Sequence, residues 1–181
     1  ATGRRFTHPV SRRSGQEVCL LLSEVPPFTC RIGMAQQAAY GERLCGDACS
    51  QFDDGRGRQF LLLCDGMGTG SRAAVDGAMA AGLASRLLKA GFGFESLLRL
   101  VNTALMAKSE DESLATLDIA AIDLFTGELE LLKAGAGVSL LYSRGRVLRL
   151  DESSLPLGIL RELTFARTAL RLSDGDVLLM M

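Results

Sequence analysis

An apolar segment that runs into a glycine-rich loop is the feature that most limits how this chain can fold. Residues 60–64 are continuously apolar, and Asp65 follows directly, ahead of the alternating glycines Gly66, Gly68 and Gly70. A helical pattern rich in Ala and Leu begins at residue 71. Glycines let the backbone approach a bound group closely, and the start of a helix offers unpaired N–H groups. This strand–loop–helix unit predicts a carboxylate aimed at a metal ion or a phosphate.

The remaining pattern predicts an α+β protein. Helices are expected over residues 71–90 and, from an amphipathic repeat, over 94–108. Strands are expected over residues 18–22, 28–39, 48–52, 60–64, 116–124, 128–134, 138–143, 147–150, 164–172 and 177–181. The last two strands are expected to form a hairpin across residues 173–176. Strands, then a helix pair, then strands predict a layered β-sandwich of mainly antiparallel strands, flanked by an antiparallel helix pair.

Composition excludes several classes of function. The chain has 181 residues, enough for one domain with a core, and a net charge of −1 without a basic block, which argues against nucleic-acid binding. Its five cysteines form no Cys-x-x-Cys pair, and His8 is the only histidine. A zinc site made of Cys and His and a histidine-dependent hydrolase are therefore not expected. Free thiols favour a cytoplasmic location.

Two aspartates are predicted to meet at one end of the sheet. Asp47 begins one strand and Asp65 ends the next, and the Asp-Asp-Gly-Arg-Gly turn at residues 53–57 predicts that the two strands form a hairpin. Two carboxylates, the carbonyl of Gly66 and water would give an oxygen-only site suited to Mg²⁺ or Mn²⁺. Asp118, on an otherwise apolar strand, is a third candidate ligand.

Each aspartate also has a purely structural explanation. Asp47 follows a glycine and could form a turn, Asp65 could cap the next helix, and Asp118 could be a charge at a strand edge. For Asp65 the metal hypothesis is favoured, since the glycines around it have no evident packing purpose. A dinucleotide-binding loop is rejected because Ser71 stands where its third glycine belongs, and a phosphate-binding P-loop because no Gly-Lys-Ser/Thr follows.

These motifs resemble a known family, the phosphatase domain of stage II sporulation protein E, in the PPM (protein phosphatase 2C-type) superfamily of serine/threonine phosphatases. The resemblance covers residues 28–181, and residues 1–27 are expected to be a linker or the end of an upstream region. It rests on Gly46-Asp47, Cys64-Asp65-Gly66-Met67-Gly68-Thr69-Gly70-x-x-Ala73, Ser113-Leu-Ala-Thr116-Leu117-Asp118, Lys133-Ala-Gly135-Ala and Leu155-Pro-Leu-Gly158-Ile.

The resemblance implies a function and a set of metal ligands. Asp65 would bridge two Mn²⁺ or Mg²⁺ ions, the carbonyl of Gly66 would bind the second ion, and Asp47 would bind that ion directly or through water. The activity implied is two-metal hydrolysis of phosphoserine on a phosphorylated anti-anti-sigma factor, in the control of sporulation. The implied location is the cytoplasm. This holds also if the domain belongs to a parent protein that is anchored in a membrane. A homodimer through the exposed side of the helix pair, residues 71–108, is a further expectation.

The family's remaining metal aspartates lie in a Ser-Asp-Gly and an Asp-Asp-Met-Thr segment that would follow Met181. We therefore expect a fragment that binds metal weakly and is inactive by itself. The alternative is a non-catalytic regulatory or dimerisation module that keeps the phosphatase fold, and metal titration with a phosphopeptide assay separates the two hypotheses.

Overall fold

The structure is a computed structural model that describes residues 3–38, 40–41, 44–108, 113–152 and 154–181. Its elements, in chain order, are β1 (Val10–Ser14), β2 (Glu17–Leu21), β3 (Asp47–Asp53), β4 (Arg58–Asp65), α1 (Gly70–Lys89), α2 (Phe94–Lys108), β5 (Leu117–Asp123), β6 (Glu128–Ala134), β7 (Ser139–Ser143), β8 (Arg146–Leu150), β9 (Ala166–Arg171) and β10 (Val177–Met180).

A five-stranded antiparallel sheet lies at the centre, with strand order β3-β4-β5-β6-β9. Successive side chains of a strand point to opposite faces, so the apolar strands β4, β5 and β6 bury residues on both. On one face Leu62, Ile119 and Leu132 pack against the helices, which contribute Ala80 and Leu98. This face therefore carries the larger of the two cores.

A second sheet, of strand order β10-β7-β8, covers the other face. Ala120, Leu129 and Leu131 of the central sheet share a core with Leu141 and Leu150 of the second sheet. The resulting order of layers is helices, sheet, sheet. This confirms the α+β layered fold and the mainly antiparallel pairing expected from the sequence.

The two helices form the expected antiparallel pair. α1 ends where Gly91 adopts a φ of +86°, a conformation that glycine takes without strain. α2 begins at Phe94 and returns along α1, so that Lys108 near its end forms an ion pair with Asp76 near the start of α1. None of the helices in the described residues is long and apolar enough to cross a membrane.

The strand expected over residues 28–39 is wrong for the part that the structure describes. Residues 28–38 form no regular element, and position 39 lies outside the described residues. The alternating apolar side chains do not bury a common face, because Phe28 and Met34 are both exposed. The segment is held at separate points instead: the Phe28 N–H donates to the Leu124 carbonyl, and Gln36 donates to Asp47.

The hairpin expected between the last two strands is also wrong. β9 pairs with β6 and β10 pairs with β7, so the turn at residues 173–176 carries the chain from one sheet to the other. The reason lies in the shared core between the sheets. Leu170 and Leu172 pack on it from one side, whereas Leu178 and Met180 pack on it from the other.

An additional hairpin, β1–β2, occupies part of residues 1–27, which we expect to be a linker or the end of an upstream region. The two strands pair antiparallel with each other, and every residue in them is exposed. A bridge between Phe6 and Glu24 extends this pairing.

Candidate functional site

Asp47 and Asp65 are directly opposite each other on paired strands. Asp47 is the first residue of β3, Asp65 is the last of β4, and the register joins them. The turn between the strands fixes that register, because Asp54 Oδ1 accepts hydrogen bonds from the N–H groups of Arg56 and Arg58. Directly opposite side chains lie on one face of a sheet, about 4.5–5.5 Å apart at Cβ. The structure therefore brings the two carboxylates together at one end of the sheet.

This proximity has an electrostatic consequence. Burial raises the pKa of Asp65 above its ordinary value, and the charge of Asp47 and a hydrogen bond between the two side chains raise that pKa further. Two adjacent carboxylates disfavour each other's ionisation unless a cation compensates the charge. A divalent cation would compensate the charge of both carboxylates.

Asp47 is also held from the opposite side of its strand by the irregular segment 28–38. Gln36 Nε2 donates a 2.6 Å hydrogen bond to the Asp47 carbonyl. The Cys45 thiol lies 3.3 Å from Asp47 Oδ2 and 3.4 Å from the Gln37 carbonyl. Although it forms no strand, this segment therefore reaches the carboxylate pair.

One glycine of the loop, Gly66, does have a packing purpose, contrary to our expectation, whereas a Cβ added to Gly68 would meet no atom within 4 Å. A Cβ added to Gly66 would lie 1.9 Å from the Ala73 carbonyl oxygen and 2.7 Å from the Gly77 nitrogen. A Cβ added to Gly77 would lie 2.2 Å from the Gly46 oxygen. The Gly66 N–H in turn donates to the Gly46 carbonyl, at 3.1 Å. Backbone packs directly on backbone here, so α1 supports the loop that follows Asp65.

Gly46 leaves room for the candidate ligand atoms of Gly66 and Asp65. A Cβ at this position would lie 2.9 Å from the Gly66 carbonyl oxygen and 3.4 Å from Asp65 Oδ1. The donor set is thus two carboxylates and a carbonyl, all hard oxygen ligands, which fits Mg²⁺ or Mn²⁺. The described residues contain no cluster of three or more His, Cys, Asp or Glu side chains that could hold a metal.

Gly46 and Gly77 are the residues whose roles the sequence reasoning missed. Gly77 lies on α1, where it contacts the backbone of Gly46 and Gly66. Gly82, on the same helix, has no atom within 4 Å of an added Cβ. A glycine inside a helix is unfavourable by about 1 kcal/mol relative to alanine. Because this holds for Gly77 and Gly82 alike, the sequence does not distinguish the glycine that packs closely from the one that does not.

Asp118 has a different environment from the exposed Asp65. It lies in the middle of the central sheet, between Leu63 and Lys133 on the neighbouring strands, and is only 1% exposed. The explanation of a charge at a strand edge is therefore wrong. Lys133 Nζ donates to Asp118 Oδ2 at 2.5 Å, and Ser139 Oγ donates to the same oxygen at 3.0 Å. Burial raises the pKa of Asp118, and these partners partly offset that increase.

A groove on the central sheet lies away from the carboxylate pair. It has a volume of about 660 Å³ and lies on the helix side of the central sheet, at the end that carries Arg58 and Asp123. Glu130 within it forms ion pairs with Arg58 and Arg167. Because these charged groups neutralise one another, the groove attracts a cation less strongly than the carboxylate pair does.

Comparison with known sequences identifies the family. Residues 55–181 match the family described as Stage II sporulation protein E (SpoIIE). Stage II sporulation protein E of Bacillus subtilis (strain 168) is 30% identical over 149 residues, which are 82% of this chain and 18% of that protein. The protein of the same name from Priestia megaterium is 30% identical over 149 residues, 82% of this chain and 26% of that protein. The chain thus spans about a fifth to a quarter of these relatives.

Solved structures show the same fold. The PP2C phosphatase domain of SpoIIE from Bacillus subtilis, with a fragment of its regulatory domain, has a TM-score of 0.81 and 24% identity, over 99% of this chain and 54% of that chain. The SpoIIE phosphatase domain from Bacillus subtilis in a crystal form without domain swapping has a TM-score of 0.53 and 27% identity, over 79% of this chain and 61% of that chain. RsbX in complex with magnesium has a TM-score of 0.67 and 21% identity, over 80% of this chain and 69% of that chain. The layers described above are those of a PP2C-type phosphatase domain, and the chain belongs to the stage II sporulation protein E family.

Proposed function

We propose that this chain carries the metal-binding loop of a metal-dependent protein serine phosphatase. Asp65 would be a ligand of two Mn²⁺ or Mg²⁺ ions, and Asp47 and the Gly66 carbonyl would hold the second of them. One observation carries this proposal: Asp47 and Asp65 lie directly opposite each other on paired strands, beside the Gly66 carbonyl. Membership of a family of PP2C-type serine phosphatases supports the reaction type.

The residues of this chain bind and orient the ions. When bound, the ions lower the pKa of a coordinated water and stabilise charge that develops on the phosphoryl oxygens. Thr116 fixes the backbone of Asp65 on both sides: its Oγ1 accepts from the Asp65 N–H at 3.1 Å, and its own N–H donates to the Asp65 carbonyl at 2.8 Å. No side-chain nucleophile is needed, in agreement with a chain that has a single histidine.

The substrate that we propose is phosphoserine on an anti-anti-sigma factor. Family membership supports this choice, as does the structural similarity to the RsbU and RsbW domains of Rv1364c from Mycobacterium tuberculosis, at a TM-score of 0.66 and 23% identity. A substrate of this kind places the domain in the cytoplasm. Two further points stay predictions: that the parent protein is anchored to a membrane, and that the helix pair forms a homodimer.

A non-catalytic module with the phosphatase fold is the second candidate. One observation favours it: within the described residues, no group of three or more His, Cys, Asp or Glu side chains that could hold a metal is present. Mg²⁺ and Mn²⁺ held by few carboxylates keep several waters and bind loosely. Such a module would bind a partner protein without hydrolysing phosphoserine.

Calorimetry and a phosphatase assay separate these candidates. We expect the chain to bind Mn²⁺ weakly and Asp65→Asn to abolish that binding, whereas Asp151→Asn, which changes an exposed aspartate paired with Arg149, leaves it unchanged. In the parent protein, Asp65→Asn should abolish phosphate release from a phosphoserine protein. Phosphate release that survives Asp65→Asn would refute the metal assignment, and a parent without turnover would favour the non-catalytic module.

A further inference from the structure

We propose that Asp118 is a positioning residue of the metal site: its Oδ1 accepts a hydrogen bond from a water bound to the ion at Asp47 and Asp65. Lys133 and Ser139 hold the Asp118 carboxylate in the orientation that this contact needs. The inference rests on the proposed function, because it requires an ion at the aspartate pair.

The sheet register places the three aspartates in one row. Asp118 lies directly opposite Leu63, and Leu63 and Asp65 are two residues apart on β4, so their side chains share a face. Asp47 lies directly opposite Asp65 on that face. It is the face that packs on the second sheet, since Leu61 and Ala120, which are also paired, belong to the core between the sheets.

The hydrogen-bonding capacity of Lys133 and Ser139 is fully used within the network. The Lys133 ammonium group donates to Asp118 Oδ2, to the Gly137 carbonyl at 2.8 Å and to Ser139 Oγ at 2.8 Å. A lysine has three such donors, so none is left for a phosphate or another ligand. The Ser139 hydroxyl accepts from Lys133 and donates to Asp118. These two residues act on the site only through Asp118.

One acceptor remains in this network. Asp118 Oδ1 is buried and has no hydrogen-bond partner among the residues that the structure describes. A buried carboxylate oxygen without a donor is unfavourable, so native proteins supply one from protein or from ordered water. Lys133, one of the two partners of Oδ2, lies on β6, which pairs with β5 on the side away from β4. Oδ1 is therefore the oxygen available on the side where Asp65 lies.

The spacing suits a single bridging water. Diagonal neighbours on adjacent antiparallel strands are about 7–8 Å apart at Cα, somewhat less at Cβ. A metal–oxygen bond of about 2.1 Å and a hydrogen bond of about 2.7 Å, in sequence, span the gap between an ion at Asp65 and the Asp118 carboxylate. Groups that orient a metal's ligands in this way affect affinity although they do not touch the ion.

The decisive variant removes the ion pair without changing net charge. Asp118→Leu combined with Lys133→Met deletes one negative and one positive charge, so a loss of Mn²⁺ affinity cannot come from long-range attraction. Replacing both members of a buried pair by apolar residues is often neutral for stability. We expect the thermal midpoint to stay near that of the wild type while the calorimetric Kd for Mn²⁺ rises roughly 10- to 100-fold.

Two further variants complete the test. Asp118→Asn keeps the shape of the side chain but, with its oxygen toward Lys133, presents an NH₂ group where Oδ1 accepts; it should weaken Mn²⁺ binding in the same range and serves if the double variant does not fold. Glu130→Gln neutralises a carboxylate on the opposite face of the sheet and should leave the Kd unchanged.

The outcomes distinguish this inference from the proposed function. If Asp65→Asn abolishes binding but both Asp118 variants bind Mn²⁺ as tightly as the wild type, the role of Asp118 is overturned and the metal site stands. If the wild type binds no Mn²⁺, or Asp65→Asn does not alter binding, the proposed function fails and the inference with it. Electron paramagnetic resonance of Mn²⁺ in ¹⁷O-water counts bound waters: an unchanged count in Asp118→Asn supports the bridging role, and one additional water would make Asp118 a direct ligand and overturn it.

Discussion

Asp65 is subject to opposing demands at the scale of a single residue. Metal binding needs its carboxylate ionised, whereas burial and the neighbouring Asp47 raise its pKa. The same group is therefore a source of instability in the metal-free protein and a ligand in the metal-bound one. Both roles can be measured separately.

We predict that Asp65→Asn changes how the stability of the metal-free protein depends on pH. Because the folded state holds the Asp65 proton more tightly than the unfolded state, the free energy of unfolding should fall as pH rises from the ordinary value of 3.8 through the raised pKa. Asn carries no such charge, so the variant should lack this part of the decline and be the more stable protein at neutral pH. Urea unfolding between pH 4 and 8 measures the effect, and an identical pH profile in both proteins would contradict it.

Gly66 and Gly82 offer a matched pair of alanine substitutions. Gly66→Ala would place its Cβ 1.9 Å from the Ala73 oxygen, so backbone must shift, at a cost of about 1–3 kcal/mol, with loss of Mn²⁺ binding. Gly82→Ala meets no atom within 4 Å in the middle of a helix and should stabilise the protein by about 0.5–1 kcal/mol. Chemical denaturation measures both changes. Equal effects of the two substitutions would show that α1 does not support the loop as described.

At the scale of elements, the helix pair is joined by an ion pair that is largely out of solvent. Asp76 on α1 is 1% exposed and accepts from Lys108 on α2. Removing one member of a buried pair leaves an uncompensated charge, which is destabilising by about 3–5 kcal/mol. Lys108 is partly exposed, so the lower end of this range applies.

We therefore predict that Lys108→Met lowers the free energy of unfolding by about 3 kcal/mol, and that Asp76→Leu combined with Lys108→Met recovers most of the loss. Thermal and urea unfolding of the two variants test this. If the double variant is as unstable as the single one, the helices depend on the charges themselves for their packing.

At the scale of the whole molecule, the β1–β2 hairpin stands apart from the three layers. All ten of its residues are exposed, and its pairing is confined to the two strands and the adjoining residues 5–25. We predict that deletion of residues 1–25 leaves the thermal midpoint within about 4 °C, a shift that corresponds to about 1–2 kcal/mol in a domain of this size. A larger fall would show that the hairpin belongs to the folded domain and would move its boundary from residue 28 toward residue 1.

The sequence by itself determined most of the elements and the pair of aspartates. The turn at residues 53–57 dictates a local hairpin, and a local hairpin fixes the register that brings Asp47 and Asp65 together. The two helices and most of the strands follow from periodicity and from glycine breaks, which are also local signals. The motifs around Asp65 are specific enough to indicate the family.

Tertiary structure alone decided which sheet each late strand joins and what surrounds Asp118. β9 and β10 are adjacent in sequence but pack on opposite sides of one core, because each buries its apolar face there. Asp118 meets Lys133 and Ser139 across two neighbouring elements, and Gly66 meets α1 backbone to backbone. Such contacts join residues distant in the chain, so no local pattern encodes them. Their energies depend on burial, which exists only once the layers have assembled.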